Sequence, residues 1–145
     1  MINVIGLGYI GLPTALILAA SGVEVIGTDT NQALVAELRE GHATFEEAGL
    51  DELFDAAVEA GIQFSTDYQT TDLYIVAVPT PYDKSSKKID ACHVVSAVKS
   101  IMGTCRKGAT IVIESTISPG TIDKFIRPIV EESVWVTGRD LHLVH

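Results

Sequence analysis

The chain has 145 residues, a formal net charge of −9, 47% apolar residues and 6% aromatics. That is the length of one domain with enough apolar surface for a real core, and so few aromatics suit a parallel sheet buried on both faces. The acidic balance argues against nucleic acid and anionic membrane surfaces, which need a basic patch, while Cys92 and Cys105 form no metal or redox spacing and suit a reducing cytoplasm.

Ile2 to Ile5 is a short apolar run and a predicted strand. Gly6, Gly8 and Gly11 follow in the order G-x-G-x-x-G, and with them comes a mostly apolar stretch of helical length, Tyr9 to Ser21, that Gly22 closes. Pro13 falls in the first turn of that helix, where its missing N–H costs little. A second apolar run, Val23 to Gly27, leads to Asp29. The apolar start lacks a basic leader, is broken by Pro13 and glycines, and is followed by Glu24, so neither a signal peptide nor a membrane span is predicted.

Each part of this strand–turn–helix–strand unit has a physical reason. Gly6 lets the chain turn sharply out of the strand. Gly8 has no side chain, so a pyrophosphate can approach the backbone, and Gly11 lets the helix pack close to the strand. The free N–H groups and positive dipole end of the helix face the phosphates. Asp29 can accept hydrogen bonds from both ribose hydroxyls of an adenosine. A parallel unit whose glycines only permit close packing leaves that acid unexplained. The unit therefore predicts dinucleotide binding. Asp29 repels a 2′-phosphate, and Thr30, Asn31 and Gln32 supply no cation to hold one, so NAD is favoured over NADP.

Asn31 is the predicted N-cap of a second helix with Leu34, Val35 and Leu38 on one face, ended by Gly41; His42 lies in the loop beyond and reads as solvated. A third helix is predicted from Glu46 to Ala60 on the spacing of Leu50, Leu53, Phe54, Ala57 and Val58, stopped by Gly61. Ile62 to Ser65 reads as a short strand near the sheet edge, and Leu73 to Val78 as a central strand. It ends in Val78-Pro79-Thr80-Pro81, whose prolines force an extended chain. This segment either lines a ligand crevice or is a stiff turn.

Tyr82 to Ile89 is polar, holds three lysines and reads as a mobile, solvated loop. Asp90 is the predicted N-cap of a helix carrying Val94, Val95, Val98, Ile101 and Met102, ended by Gly103. Ala109 to Ile113 is a buried strand that delivers Glu114, Ser115 and Thr116 to the sheet edge holding the glycine turn. Ser115 and Thr116 are candidate site residues, with plain strand-end polar residues as the alternative. Ser118 and Pro119 are predicted to open a helix with Ile122, Phe125, Ile126 and Ile129 buried, which Pro128 kinks or shortens. Val134 to Thr137 is short, Gly138-Arg139-Asp140 is a turn, and Leu141 to Val144 is a sixth strand. The expected fold is an α/β, doubly wound Rossmann-type parallel sheet of about six strands with helices on both faces, residues 1–145 forming one NAD-binding domain. Because a domain seldom stops on a strand it has just completed, a longer protein is expected.

Gly6-Leu7-Gly8-Tyr9-Ile10-Gly11-Leu12-Pro13, then Asp29, Val78-Pro79-Thr80-Pro81, and Glu114-Ser115-Thr116-Ile117-Ser118-Pro119-Gly120-Thr121 together resemble the UDP-glucose/GDP-mannose dehydrogenases at their NAD-binding N-terminal domain. The resemblance covers essentially the whole chain. It implies a cytoplasmic oxidoreductase of polysaccharide biosynthesis that oxidises the C6 hydroxyl of a UDP-sugar twice, using NAD+, to a uronic acid. In that family a cysteine forms a thiohemiacetal with the intermediate aldehyde, the second oxidation leaves a thioester, and water releases the carboxylate.

By the same resemblance Gly6, Leu7, Gly8, Tyr9, Ile10 and Gly11 hold the pyrophosphate and Asp29 the adenosine ribose. Val78, Pro79, Thr80, Pro81 and Tyr82 pack along the cofactor. Ser115 and Thr116 lie beside the nicotinamide, with Thr116 the catalytic hydrogen-bond partner of the attacking water or reacting oxygen. No metal is implied. The family's nucleophilic cysteine, lysine, asparagine and aspartate belong to later motifs, which Cys92 and Cys105 do not match, so this chain alone is expected to bind NAD and turn nothing over. The Val-Pro-Thr-Pro segment resembles the UDP-N-acetyl-hexosamine branch, with UDP-N-acetylmannosamine as first substrate, and UDP-N-acetylglucosamine or UDP-glucose as alternatives. The family usually dimerises through a helix outside this stretch, so a full-length homodimer and a monomeric fragment are expected. A β-hydroxyacid dehydrogenase and a stand-alone, non-catalytic NAD-binding module are the other function classes the sequence leaves open.

Overall fold

The computed structural model describes residues 1–85 and 88–145. In chain order it contains β1 (Ile2–Ile5), α1 (Gly11–Ala20), β2 (Val25–Thr28), α2 (Gln32–Arg39), α3 (Leu50–Glu59), β3 (Gln63–Ser65), β4 (Leu73–Val76), β5 (Tyr82–Asp83), β6 (Lys88–Ile89), α4 (Cys92–Met102), β7 (Thr110–Ile113), a π-helical turn (Ile122–Ile126), α5 (Arg127–Glu132) and β8 (His142–Val144). Six strands pair in parallel in the order β3-β2-β1-β4-β7-β8. The chain builds outward from β1 to β3, then returns to the other side of β1 and builds outward again. The reversal lies between β1 and β4, where loops leaving the two strands diverge and open a crevice at their carboxyl ends.

Alternate residues of the central strands feed opposite layers. Val4 joins Leu12, Leu16, Val35 and Phe54 on the side of α1 to α3, whereas Ile5 joins Tyr74, Val76, Val98 and Ile111 on the side of α4 and α5. Polar side chains that enter this apolar sheet have their partners supplied. Asn3, fully buried, donates to the Ile26 carbonyl at 3.0 Å and to Thr28 Oγ1 at 2.7 Å, locking β2 against β1 just below Asp29. No helix among the described residues is long and apolar enough to cross a membrane.

Several element boundaries differ from the sequence reading. The third helix starts at Leu50, not Glu46, because Gly49 stands in the left-handed region at φ +82° and breaks any helix running through it. Ala91 rather than Asp90 caps α4, although Asp90 Oδ1 still accepts from the Cys92 amide at 2.8 Å. Ser118 and Pro119 form a turn closed by the Thr121 amide on the Ser118 carbonyl, and helical structure begins after it. Pro128 lacks an N–H for the carbonyl four residues back, and the chain widens into the π-helical turn before it, with the Arg127 amide on the Ile122 carbonyl. Val134 to Thr137 forms no strand beyond a single bridge from Thr137 to Leu141. In the segment read as a loop, Tyr82–Asp83 and Lys88–Ile89 pair as an antiparallel hairpin; Ser86 and Lys87 lie outside the described residues.

Candidate functional site

A crevice of about 590 Å³ occupies the reversal point. Gly6, Gly8, Tyr9 and Ile10 enter it from the turn after β1, and Asp29, Thr30, Asn31 and Leu34 from the end of β2 and the start of α2. Ala77, Val78, Pro79 and Thr80 follow β4, Glu114, Ser115 and Thr116 follow β7, and His93 projects from α4. A smaller adjoining cavity of about 130 Å³ shares Asp29, Val78, Pro79 and His93 and adds Tyr68, Ser96 and Ala97. Among the described residues no Lys or Arg lines either space.

The three glycines of the turn answer to different constraints. Gly6 has φ +89°, and a Cβ there would lie 2.8 Å from the Ala77 carbonyl oxygen. A Cβ on Gly11 would overlap the Gly6 carbonyl oxygen, which fixes how closely α1 meets the turn. Gly8 has no positive φ, and a Cβ there would meet nothing within 4 Å. The fold requires the first and third glycines; only a body outside the chain gives a reason for the second. The amides of Gly8, Tyr9, Ile10 and Gly11 make no hydrogen bond to any described residue, so the amino end of α1 presents unpaired donors to the crevice.

Asp29 is half-buried and preoriented. Its Oδ2 accepts from the Leu7 amide at 2.8 Å and its Oδ1 from the Asn31 amide at 2.9 Å. A carboxylate offers about four lone-pair sites, so acceptor capacity remains for a ligand hydroxyl. Across the crevice, Ser115 Oγ donates to the Val78 carbonyl at 2.8 Å, and the Ala77 amide donates to the Ile5 carbonyl at 2.8 Å. These bonds hold Val78-Pro79-Thr80 as an extended rail. The Ser115 hydroxyl is thereby committed to the rail, and Thr116 beside it is exposed to the crevice.

The structure thus gathers Gly6, Gly8, Tyr9, Ile10, Asp29, Val78, Pro79, Thr80, Ser115 and Thr116 around one space. Leu7, Gly11 and Pro81 are not on its lining. The Leu7 side chain is fully buried and would touch a Cβ on Gly27; Gly11 is buried against Gly6; the Pro81 carbonyl accepts from the Asp90 amide at 2.8 Å. Sequence reasoning passed over Tyr68, His93 and Ser96. His93 and Ser96 carry a usable signal, polar residues one helical turn apart at the start of an apolar helix. Tyr68, in the unpatterned loop between β3 and β4, carries none; its burial pushes the phenol pKa up.

Neither cysteine lines the crevice. The hydrogen bond to Asp90 holds the exposed Cys92 thiol above its ordinary pKa, and burial does the same for Cys105, so neither is an activated thiolate. Among the described residues no group of three or more His, Cys, Asp and Glu could hold a metal ion.

Residues 1–145 match the UDP-glucose/GDP-mannose dehydrogenase family, NAD binding domain. The chain is 40% identical over 147 aligned positions to the UDP-N-acetyl-D-mannosamine dehydrogenase of Methanococcus aeolicus, covering 99% of this chain and 33% of that protein. Its fold superposes on the UDP-N-acetyl-mannosamine dehydrogenase Cap5O from Staphylococcus aureus with a TM-score of 0.95 at 41% identity, over 99% of this chain and 35% of that one. A ternary complex of GDP-mannose dehydrogenase from Pseudomonas aeruginosa gives a TM-score of 0.87 at 27% identity, over 98% of this chain and 34% of that one. The chain spans about a third of the length of these relatives.

Proposed function

The chain belongs to the UDP-glucose/GDP-mannose dehydrogenase family as its NAD-binding domain, and from that premise we propose that the crevice between β1 and β4 holds NAD for a nucleotide-sugar 6-dehydrogenase acting on UDP-N-acetyl-D-mannosamine. The observation that carries the cofactor reading is Gly8. A Cβ there meets nothing within 4 Å, and Gly8 opens a run of four amides, Gly8 to Gly11, that have no partner among the described residues at a helix amino end. A diphosphate needs both the open backbone and the donors.

The residues present fit NAD. The amides of Gly8, Tyr9 and Ile10 hold the diphosphate. Asp29 accepts from the adenosine ribose hydroxyls, and with no cation on the lining among the described residues a 2′-phosphate is rejected. The Val78-Pro79-Thr80 rail, pinned by Ser115, supports the cofactor along its length, and Thr116 faces the reacting end as a hydrogen-bond donor. Bound NAD+ supplies the hydride acceptor for each oxidation of the sugar C6. The thiol nucleophile comes from outside these residues, since Cys92 and Cys105 are neither activated nor in the crevice. The relatives at 40% and 41% identity are both UDP-N-acetylmannosamine enzymes, which supports the choice of sugar. The longer protein acts in the cytoplasm on its UDP-sugar as a homodimer.

Isothermal calorimetry of the chain with NAD+ and NADP+ tests the cofactor claim. NAD+ is expected to bind and NADP+ to bind at least about tenfold more weakly. No heat from millimolar NAD+ in a folded sample would sink the reading, and equal affinities would remove Asp29 from its assigned role.

A further inference from the structure

The carboxylate of Asp29 does more than wait for a ribose. The backbone of Gly6-Leu7-Gly8 is tied to the end of β2 at two points: the Gly6 amide donates to the Thr28 carbonyl at 2.8 Å, and the Leu7 amide donates to Asp29 Oδ2 at 2.8 Å. The Leu7 side chain is locked in the core, so the Leu7 peptide can rotate only if the second tie breaks. The other oxygen of the same carboxylate holds the Asn31 amide, at the residue whose side chain caps α2. One side chain therefore joins the glycine turn, the end of β2 and the start of α2.

We infer that Asp29 is a positioning residue for the diphosphate, aiming the free amides of the glycine turn, in addition to any contact it makes with the ribose. The inference rests on the cofactor reading of the crevice. Without the carboxylate, the part-buried Leu7 amide has no acceptor, and such a group must rotate or recruit water. Either response tilts the Gly6–Leu7 peptide, and through the Leu7 backbone the Leu7–Gly8 peptide that follows, which misaims the donors of Gly8, Tyr9 and Ile10. The loss then falls on ligands that carry phosphates, over and above what the ribose contact costs.

The test compares adenosine, which has the ribose alone, with ADP, which adds the diphosphate, by amide NMR titration of the wild type, Asp29→Ala and Asp29→Asn. Asp29→Ala is expected to weaken ADP about tenfold more than it weakens adenosine. Hydrogen exchange at the Leu7 amide of the free protein is expected to quicken by about tenfold. Asp29→Asn keeps the side chain's shape but has a single acceptor oxygen, so it must break at least one of the two backbone bonds; if the alanine variant fails to fold, quickened Leu7 exchange in the asparagine variant shows that the Leu7 bond is the one lost, and the same selective loss of ADP is then expected. Equal weakening of both ligands with unchanged Leu7 exchange would overturn the inference and leave Asp29 a ribose ligand only. No ADP-dependent shift at Gly8, Tyr9 and Ile10 in the wild type would overturn the cofactor reading itself, a result distinct from equal weakening.

Discussion

Gly8 and Gly11 share a turn and a residue type, yet substitution at each should break different things. Gly11→Ala puts a Cβ into the Gly6 carbonyl, a backbone atom with nowhere to move. A loss of about 3 kcal/mol or outright misfolding is expected, read from the midpoint of chemical denaturation. Gly8→Ala meets open space and an ordinary φ, so the midpoint should hold or rise by about 0.5 kcal/mol. Calorimetry on that same sample should show NAD+ affinity lowered by about tenfold or more, because the methyl group stands where the diphosphate must approach. A Gly8→Ala protein that binds NAD+ normally would end the case for that glycine. The sequence reading already gave Gly6 to the turn and Gly11 to helix packing, and the structure shows the close backbone contacts that require them, with open space at Gly8.

At the scale of elements, local signals were legible and boundaries set by distant packing were not. Asn31 was visible as a cap because its side chain needs only the next turn of backbone, and it accepts from the Ala33 and Leu34 amides at 3.1 and 3.3 Å. Asn31→Ala should cost about 1 kcal/mol, seen as a fall of about 2–6 °C in melting temperature. An unchanged melting temperature would mean that water or a shifted side chain replaces the cap. The helix α3 starts later than the spacing predicts: Glu46 and Glu47 suit the exposed first turn of a helix leading into Leu50, Leu53 and Phe54, while Gly49 breaks it through a backbone angle that no pattern encodes. The π-helical turn before Pro128 was only half foreseen. A proline announces that regular hydrogen bonding fails, but not whether the helix kinks, ends or widens.

Across the whole molecule, the doubly wound parallel sheet of about six strands followed from the run of alternating strands and helices, and the order of the strands came only with the structure. The composition of the crevice followed only in part. Residues after β1, β2, β4 and β7 were foreseen because every parallel strand delivers its carboxyl end to the same edge. Tyr68 and His93 reach it through the path of a loop and the rotation of a helix, which spacing does not fix. The far edge of the sheet depends on charge. Asp140, mostly buried, accepts from the Arg139 guanidinium at 2.8 Å and the Val136 amide at 3.0 Å, with Lys107 at 3.4 Å. These partners, Arg139 first, hold its carboxyl well below the usual carboxylate range. A depressed folded pKa means that the contribution is complete above the ordinary pKa and lost as pH falls below it. Asp140→Asn should therefore lower the melting temperature near neutrality, and the gap from wild type should close as pH drops below about 4. A gap that stays constant with pH would assign the effect to packing rather than charge.

The open space above Gly8 carries a consequence for how such a chain can be altered. Selection for heat resistance alone favours any residue there that stiffens the unfolded chain, and nothing in the folded domain resists the change. Variants enriched by such a screen should therefore accumulate side chains at position 8 and become sturdier proteins that no longer hold a cofactor, whereas positions 6 and 11 should stay fixed under the same pressure.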